Sequence, residues 1–162
     1  MRYYLIALLI LLSDQTTKWL VEHKMNLYES IPVIDGFFYL TSHRNRGAAF
    51  GILQDKIWLF VSITLIVIGF VVYYLWLVKD EKNPWMPTAF SLILGGAAGN
   101  LIDRIRLGEV VDFLHFQFGA YQFPIFNLAD SSIVVGVFLL VVLTFASPAA
   151  EKEPLTKVRD TQ

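Results

Sequence analysis

Polar side chains are sparse along this chain, and the gaps between them define its elements. Residues 57–78 carry no charge at all. Residues 85–102 are uncharged too, and Asp103 closes that run. Residues 128–146 are apolar apart from Asp130 near their start. Residues 3–21 are apolar in their first half, whereas the second half holds Ser13, Asp14, Gln15 and Lys18. A helix that crosses a bilayer needs about 20 mostly apolar residues. The pattern therefore predicts four spans.

The connections differ in kind. Residues 79–84 form a short charged turn, while residues 22–56 and 104–125 are long. The first long loop holds the β-prone run Phe37-Phe38-Tyr39-Leu40-Thr41-Ser42 after a turn-like Asp35-Gly36. The second carries Phe113, Phe116, Phe118, Tyr121 and Phe123, and aromatic rings favour the membrane–water boundary. The expected fold is an all-α membrane protein with four transmembrane helices and a small extracytoplasmic β-containing loop region. Residues 1–147 are expected to form one integral-membrane domain, followed by a polar cytoplasmic tail at 148–162. The first span resembles a cleaved leader only superficially. Asp14 to Trp19 stands where a small-residue cleavage site would lie, so it reads as a retained helix.

Composition supports lipid as the solvent. Hydrophobic residues make up 56% and charged residues only 17%, against roughly 25% charged in an ordinary soluble domain. A net charge of -1 offers no basic surface for nucleic acid. The absence of cysteine excludes a disulfide framework, thiolate metal sites and a cysteine nucleophile. Four spans put both termini on one side, opposite the long loops. Counting Lys and Arg does not decide the side until Arg46 and Arg104, which lie beside polar clusters, are discounted. The termini then fall in the cytoplasm.

Ionisable residues within a span cost about 2.5–3.5 kcal/mol each, so they mark function by default. Asp103 ends the third span and Asp130 begins the fourth, on the same side of the membrane. Each follows an asparagine by three residues, Asn100 and Asn127. Two close carboxylates share one proton, because like charges at short range do not both ionise. One can then take a proton from water while the other gives one to a carbonyl oxygen, which is aspartic-protease chemistry. The blander reading makes Asp103 and Arg104 a helix end and Asp130 a partner of the helix dipole. Ser13 and Lys18 are five residues apart, off the facing spacing needed for a serine–lysine pair. A metal site from Asp103, Asp112 and Asp130 has no histidine pair behind it. Asp14 and Lys18 are spaced to pair on the first helix, either for packing or for substrate. Gly95 and Gly99 suit close helix packing. A rival reading lines a proton or ion path with Asp14, Lys18, Asp103, Arg104 and Asp130, but no repeat or broken helix pair accompanies it.

Five motifs occur in order over nearly the whole chain. They are Asp14-Gln15-x-x-Lys18, Asn45-x-Gly47-Ala48-Ala49-Phe50-Gly51, Gly95-Gly96-Ala97-x-Gly99-Asn100-x-x-Asp103-Arg104, Val110-Val111-Asp112-Phe113 and Phe126-Asn127-x-Ala129-Asp130. Together they resemble the lipoprotein signal peptidase family, the type II signal peptidases of bacteria. The resemblance implies a membrane aspartyl protease of the bacterial cell membrane. Such an enzyme removes the signal peptide of lipidated prolipoproteins just before the diacylglyceryl-modified cysteine. It implies Asp103 and Asp130 as the catalytic pair. Asp14, Lys18, Asn45, Gly47, Asn100, Arg104, Asp112 and Asn127 would support them or bind substrate. It further implies no metal or other cofactor, inhibition by globomycin-type cyclic peptides, and a catalytic end facing away from the cytoplasm.

Overall fold

The computed structural model describes residues 2–47 and 56–146. Helices α1 (Arg2–Lys24), α2 (Ile57–Val78), α3 (Trp85–Leu107) and α4 (Leu128–Ala146) are each long and apolar enough to cross a membrane. The expected tail at 148–162 and the Ala48, Ala49, Phe50 and Gly51 positions of the second motif lie outside the described residues.

Helix α3 is the hub and packs against α1, α2 and α4. Its lack of bulk makes this possible. A Cβ on Gly95 would overlap Ala7 and Ile10 of α1, and one on Gly96 would overlap Ala129 and Ser132 of α4. Lipid offers no hydrophobic drive between helices, so such close backbone contact carries much of the association. The outward faces keep large apolar side chains such as Trp58, Ile66, Phe138 and Phe145, which suit lipid.

α3 runs on to Leu107 instead of closing before Asp103. Asp103 is satisfied by buried partners, so its charge does not force the chain out of the helix. Termination falls to Gly108, whose φ of 74° is left-handed and whose N–H bonds the Arg104 carbonyl.

The two long loops build one antiparallel sheet, ordered β1 (Ser30–Ile34), β2 (Phe38–Asn45), β3 (Val110–Phe118) and β4 (Tyr121–Gln122). The second loop's aromatic residues thus lie in and around two strands, where an interfacial loop was expected. Phe116 stacks on Phe38 and on Phe126, which ties the sheet together and to the approach to α4. Val111 and Phe113 bury against Val21 of α1, seating the sheet on the helix ends. Leu40 pairs with Leu114 but His43 with Asp112, so β2 holds one extra residue between those pairs. This bulge sets which residues face the end of the helices.

Candidate active site

Helix α4 starts with a reciprocal cap. The Asn127 side-chain oxygen accepts the Asp130 N–H at 2.9 Å, and Asp130 Oδ2 accepts the Asn127 N–H at 3.3 Å. This is the geometry of a capping box, and it explains the Asn-x-x-Asp spacing locally. The other oxygen, Asp130 Oδ1, accepts the Asn100 amide at 2.7 Å. Asn100 can point that way because its own oxygen is taken by Lys18 Nζ at 2.8 Å and by Asn127 Nδ2 at 3.2 Å.

Asp112 on β3 faces this corner. Its Oδ1 accepts from Asn127 Nδ2 at 2.7 Å and its Oδ2 from Asn45 Nδ2 at 3.0 Å. The side chain is almost wholly buried. That burial pushes its pKa up to about 7, and the neighbouring charge of Asp130 pushes in the same direction. The amides of Asn45 and Asn127 oppose the shift without cancelling it. Asp112 and Asp130 are thus two interacting carboxylates served by three asparagine amides.

Asp103 lies behind this wall. It is fully buried, with Oδ2 3.0 Å from Lys18 Nζ and accepting the Val111 N–H, and Oδ1 accepting from Gln15. Lys18 also pairs with Asp14 Oδ2 at 2.9 Å. Asp14 Oδ1 in turn accepts the Ala129 N–H in the first turn of α4. Gly99 leaves the room for this approach, since a Cβ there would overlap the Asp14 carboxylate. One cation and two carboxylates from α1 and α3 therefore anchor α4 and the strand residue next to Asp112.

A cavity of about 1200 Å³ opens over the pair. Asp112, Asp130, Asn45, Gly47, Asn100 and Arg104 line its polar part. Val134 and Val135, also on its wall, are exposed residues of α4, so it continues onto a face meant for lipid. The Arg104 guanidinium lies 5.2 Å from the Phe60 ring centre. The Gly47 N–H bonds Asn45 Oδ1, which orients the amide that serves Asp112. Two interacting carboxylates beside a cleft that continues onto an apolar helix face have the chemistry to polarise water against a peptide carbonyl.

Residues 6–146 match the sequence profile of the family described as Signal peptidase (SPase) II. The chain belongs to the signal peptidase II family. It is 53% identical over 156 residues to a lipoprotein signal peptidase of Bacillus pumilus, covering 96% of this chain and 100% of that one. A lipoprotein signal peptidase of Halalkalibacterium halodurans is 56% identical over 141 residues, covering 86% and 89%. A solved structure described as a bacterial membrane enzyme superposes with a TM-score of 0.84 at 40% identity, covering 99% of this chain and 94% of that one.

In this signal peptidase II chain the expected site residues fall into two groups. Asp112, Asp130, Asn45, Gly47, Asn100, Asn127 and Arg104 meet at or beside the cavity. Asp14, Lys18 and Asp103 form the buried ionic cluster behind it. Asp103, expected to pair with Asp130, turns toward α1, where it bonds Lys18 and Gln15, whereas Asp112 and Asp130 share Asn127 as a partner. No three His, Asp or Glu side chains converge as a metal site among the described residues. Gln15 and His43 had no assigned role. Gln15 sits inside the first motif, so its bond to Asp103 could have been suspected. His43 reaches the cavity wall through sheet register, which leaves no local signal.

Proposed function

We propose that this chain is a lipoprotein signal peptidase whose catalytic pair is Asp112 and Asp130. The observation that carries the reading is their joint hold on one buried corner of a cavity open to lipid. With its pKa near 7, Asp112 holds the shared proton at neutral pH. Asp130 takes a proton from a water, whose oxygen attacks the scissile carbonyl carbon. Asp112 gives its proton to the carbonyl oxygen. Collapse of the tetrahedral intermediate breaks the C–N bond, and a proton passes to the leaving amine. Asn45, Asn100 and Asn127 hold both carboxylates in place without adding charge.

The substrate is a prolipoprotein whose apolar signal segment lies in the membrane. Its diacylglyceryl cysteine would sit at the bilayer boundary, level with the start of α4. The cavity's extension along Val134 and Val135 supports lateral entry of that segment from lipid. On this reading both termini are cytoplasmic and the pair faces the extracytoplasmic side, where globomycin-type cyclic peptides would compete for the same cavity. The test is cleavage of a diacylglyceryl-modified precursor by purified protein in detergent. Product ending just before the modified cysteine, with little cleavage of the unlipidated precursor, is expected. Failure to cut the lipidated precursor would refute the reading.

A further inference from the structure

His43 lines the cavity directly opposite Asp112 in the β2–β3 ladder. The bulge in β2 puts it there; an unbroken register from the Leu40–Leu114 pair would bring Ser42 opposite Asp112. Directly opposed residues of a strand pair share one face of the sheet, with side chains in contact range. Asn45, two residues along, shares that face and reaches Asp112. The imidazole therefore borders the place where substrate must lie.

The ring is unusual in its bonding. Its Nδ1 is buried with no hydrogen-bond partner, alone in this among the side chains of the described residues. A buried polar atom without a partner asks for an explanation. Tyr28 lies against the ring, with centroids 6.3 Å apart, from a left-handed backbone at φ 65° that few non-glycine residues adopt. The charged or titratable groups acting on the ring are Arg44, Glu109 and His115, and Asp112 is its ladder partner. Burial above all, and then Arg44, hold the ring's pKa below the usual histidine value. A cationic ring would also need an acceptor for a proton on Nδ1, and there is none. The neutral tautomer with its proton on Nε2 avoids that cost and leaves the Nε2 edge of this half-buried ring for the cavity.

Resting on the reading of Asp112 and Asp130 as the catalytic pair, we propose that His43 is a substrate-binding residue whose Nε2–H donates to a substrate carbonyl oxygen beside the scissile bond. Being neutral, it does so without taking the proton the two aspartates share. The carbonyl belongs either to the peptide backbone or to an ester of the diacylglyceryl group.

The test compares His43→Phe, His43→Gln and His43→Asn on diacylglyceryl precursor, with Asp130→Asn as control. Phenylalanine keeps a ring for Tyr28 to pack on but loses the donor. Glutamine places an amide near the Nε2 position, and asparagine near the Nδ1 position. We expect His43→Phe to lower kcat/KM about tenfold, mainly through KM, with the melting temperature unchanged. His43→Gln should recover most of the loss and His43→Asn little. Wild-type kcat/KM in His43→Phe, a loss in kcat alone, rescue by asparagine rather than glutamine, or equal losses that track melting temperature would each overturn the proposal. An ether-linked lipid precursor names the acceptor: a persisting His43→Phe effect assigns a peptide carbonyl, and a vanishing one assigns the lipid ester. Full activity of Asp130→Asn would instead refute the underlying reading, whatever His43 does.

Discussion

Asn127 and Asp130 cap one another at the start of α4, and the same Asn127 side chain donates to Asp112 Oδ1 at 2.7 Å. Helix initiation and the placement of the two carboxylates thus depend on one residue. A cap substitution costs about 0.5–2 kcal/mol of stability in general. Here it would also release a carboxylate of the pair.

The three aspartates should separate cleanly under isosteric substitution. Asp112→Asn and Asp130→Asn should each lose on the order of 10³-fold or more in turnover, and the double variant little more, because a catalytic unit is non-additive. Asp103→Asn removes one of two carboxylates on Lys18 and leaves the Lys18–Asp14 pair, so it should keep measurable turnover with a shifted melting temperature. Turnover of each folded variant on lipidated precursor checks this. Abolished activity in well-folded Asp103→Asn with high activity in Asp112→Asn would restore the pairing of Asp103 with Asp130.

Activity should follow a bell in pH. In the proposed mechanism only the singly protonated pair works. Raising the pH through about 7 strips the proton held by Asp112, so turnover should decline on that side. Lowering the pH protonates the second carboxylate and removes the base. A kcat/KM profile flat from pH 6 to about 9 would contradict the shared-proton scheme.

Stability should depend on pH through the same group. Asp112 is raised from 3.8 to about 7, so the folded protein holds this proton more tightly than the unfolded chain. The unfolded chain sheds it first as pH rises from about 4, so stability declines across that window and levels off above about 7. The effect is on the order of 2–4 kcal/mol at most. Asp112→Asn lacks it, so its melting temperature should gain on wild type as pH rises from 4 to about 8. Parallel melting curves for the two proteins would count against the raised pKa.

Lys18 neutralises a cluster that would otherwise hold two buried carboxylates, Asp14 and Asp103. Lys18→Met should destabilise by about 3–5 kcal/mol, the range for a buried pair broken from one side. Adding Asp103→Asn should recover part of that loss. Thermal melts of the single and double variants test the coupling, and strictly additive losses would argue against it.

The proposed orientation can be read in intact cells, because the chain has no cysteine of its own. A single cysteine at Lys24 should react with a membrane-impermeant thiol reagent, and one at Lys82 should stay shielded. The opposite pattern would invert the topology.

The four spans were legible in the sequence because lipid imposes a strict length of apolar chain, and that demand is local. α2 and α4 fall at the expected residues, while α1 and α3 run a few residues further. The five ordered motifs likewise mark the carboxylates and asparagines at the cavity and the ionic cluster behind it, but not Tyr28, His43 or the cavity's apolar wall. Which aspartates meet was not legible. Asn100-x-x-Asp103 and Asn127-x-x-Asp130 look like matched units in sequence, yet the second is a helix cap and the first points its acid at Lys18. Spacing along one helix reports which side chains share a face, but not what that face meets. That depends on how closely glycine lets α1 and α4 approach α3, and on the strand contacts that bring Asp112 beside Asp130 and His43 opposite Asp112. Both are contacts between residues far apart in the chain, so only the folded packing decides them.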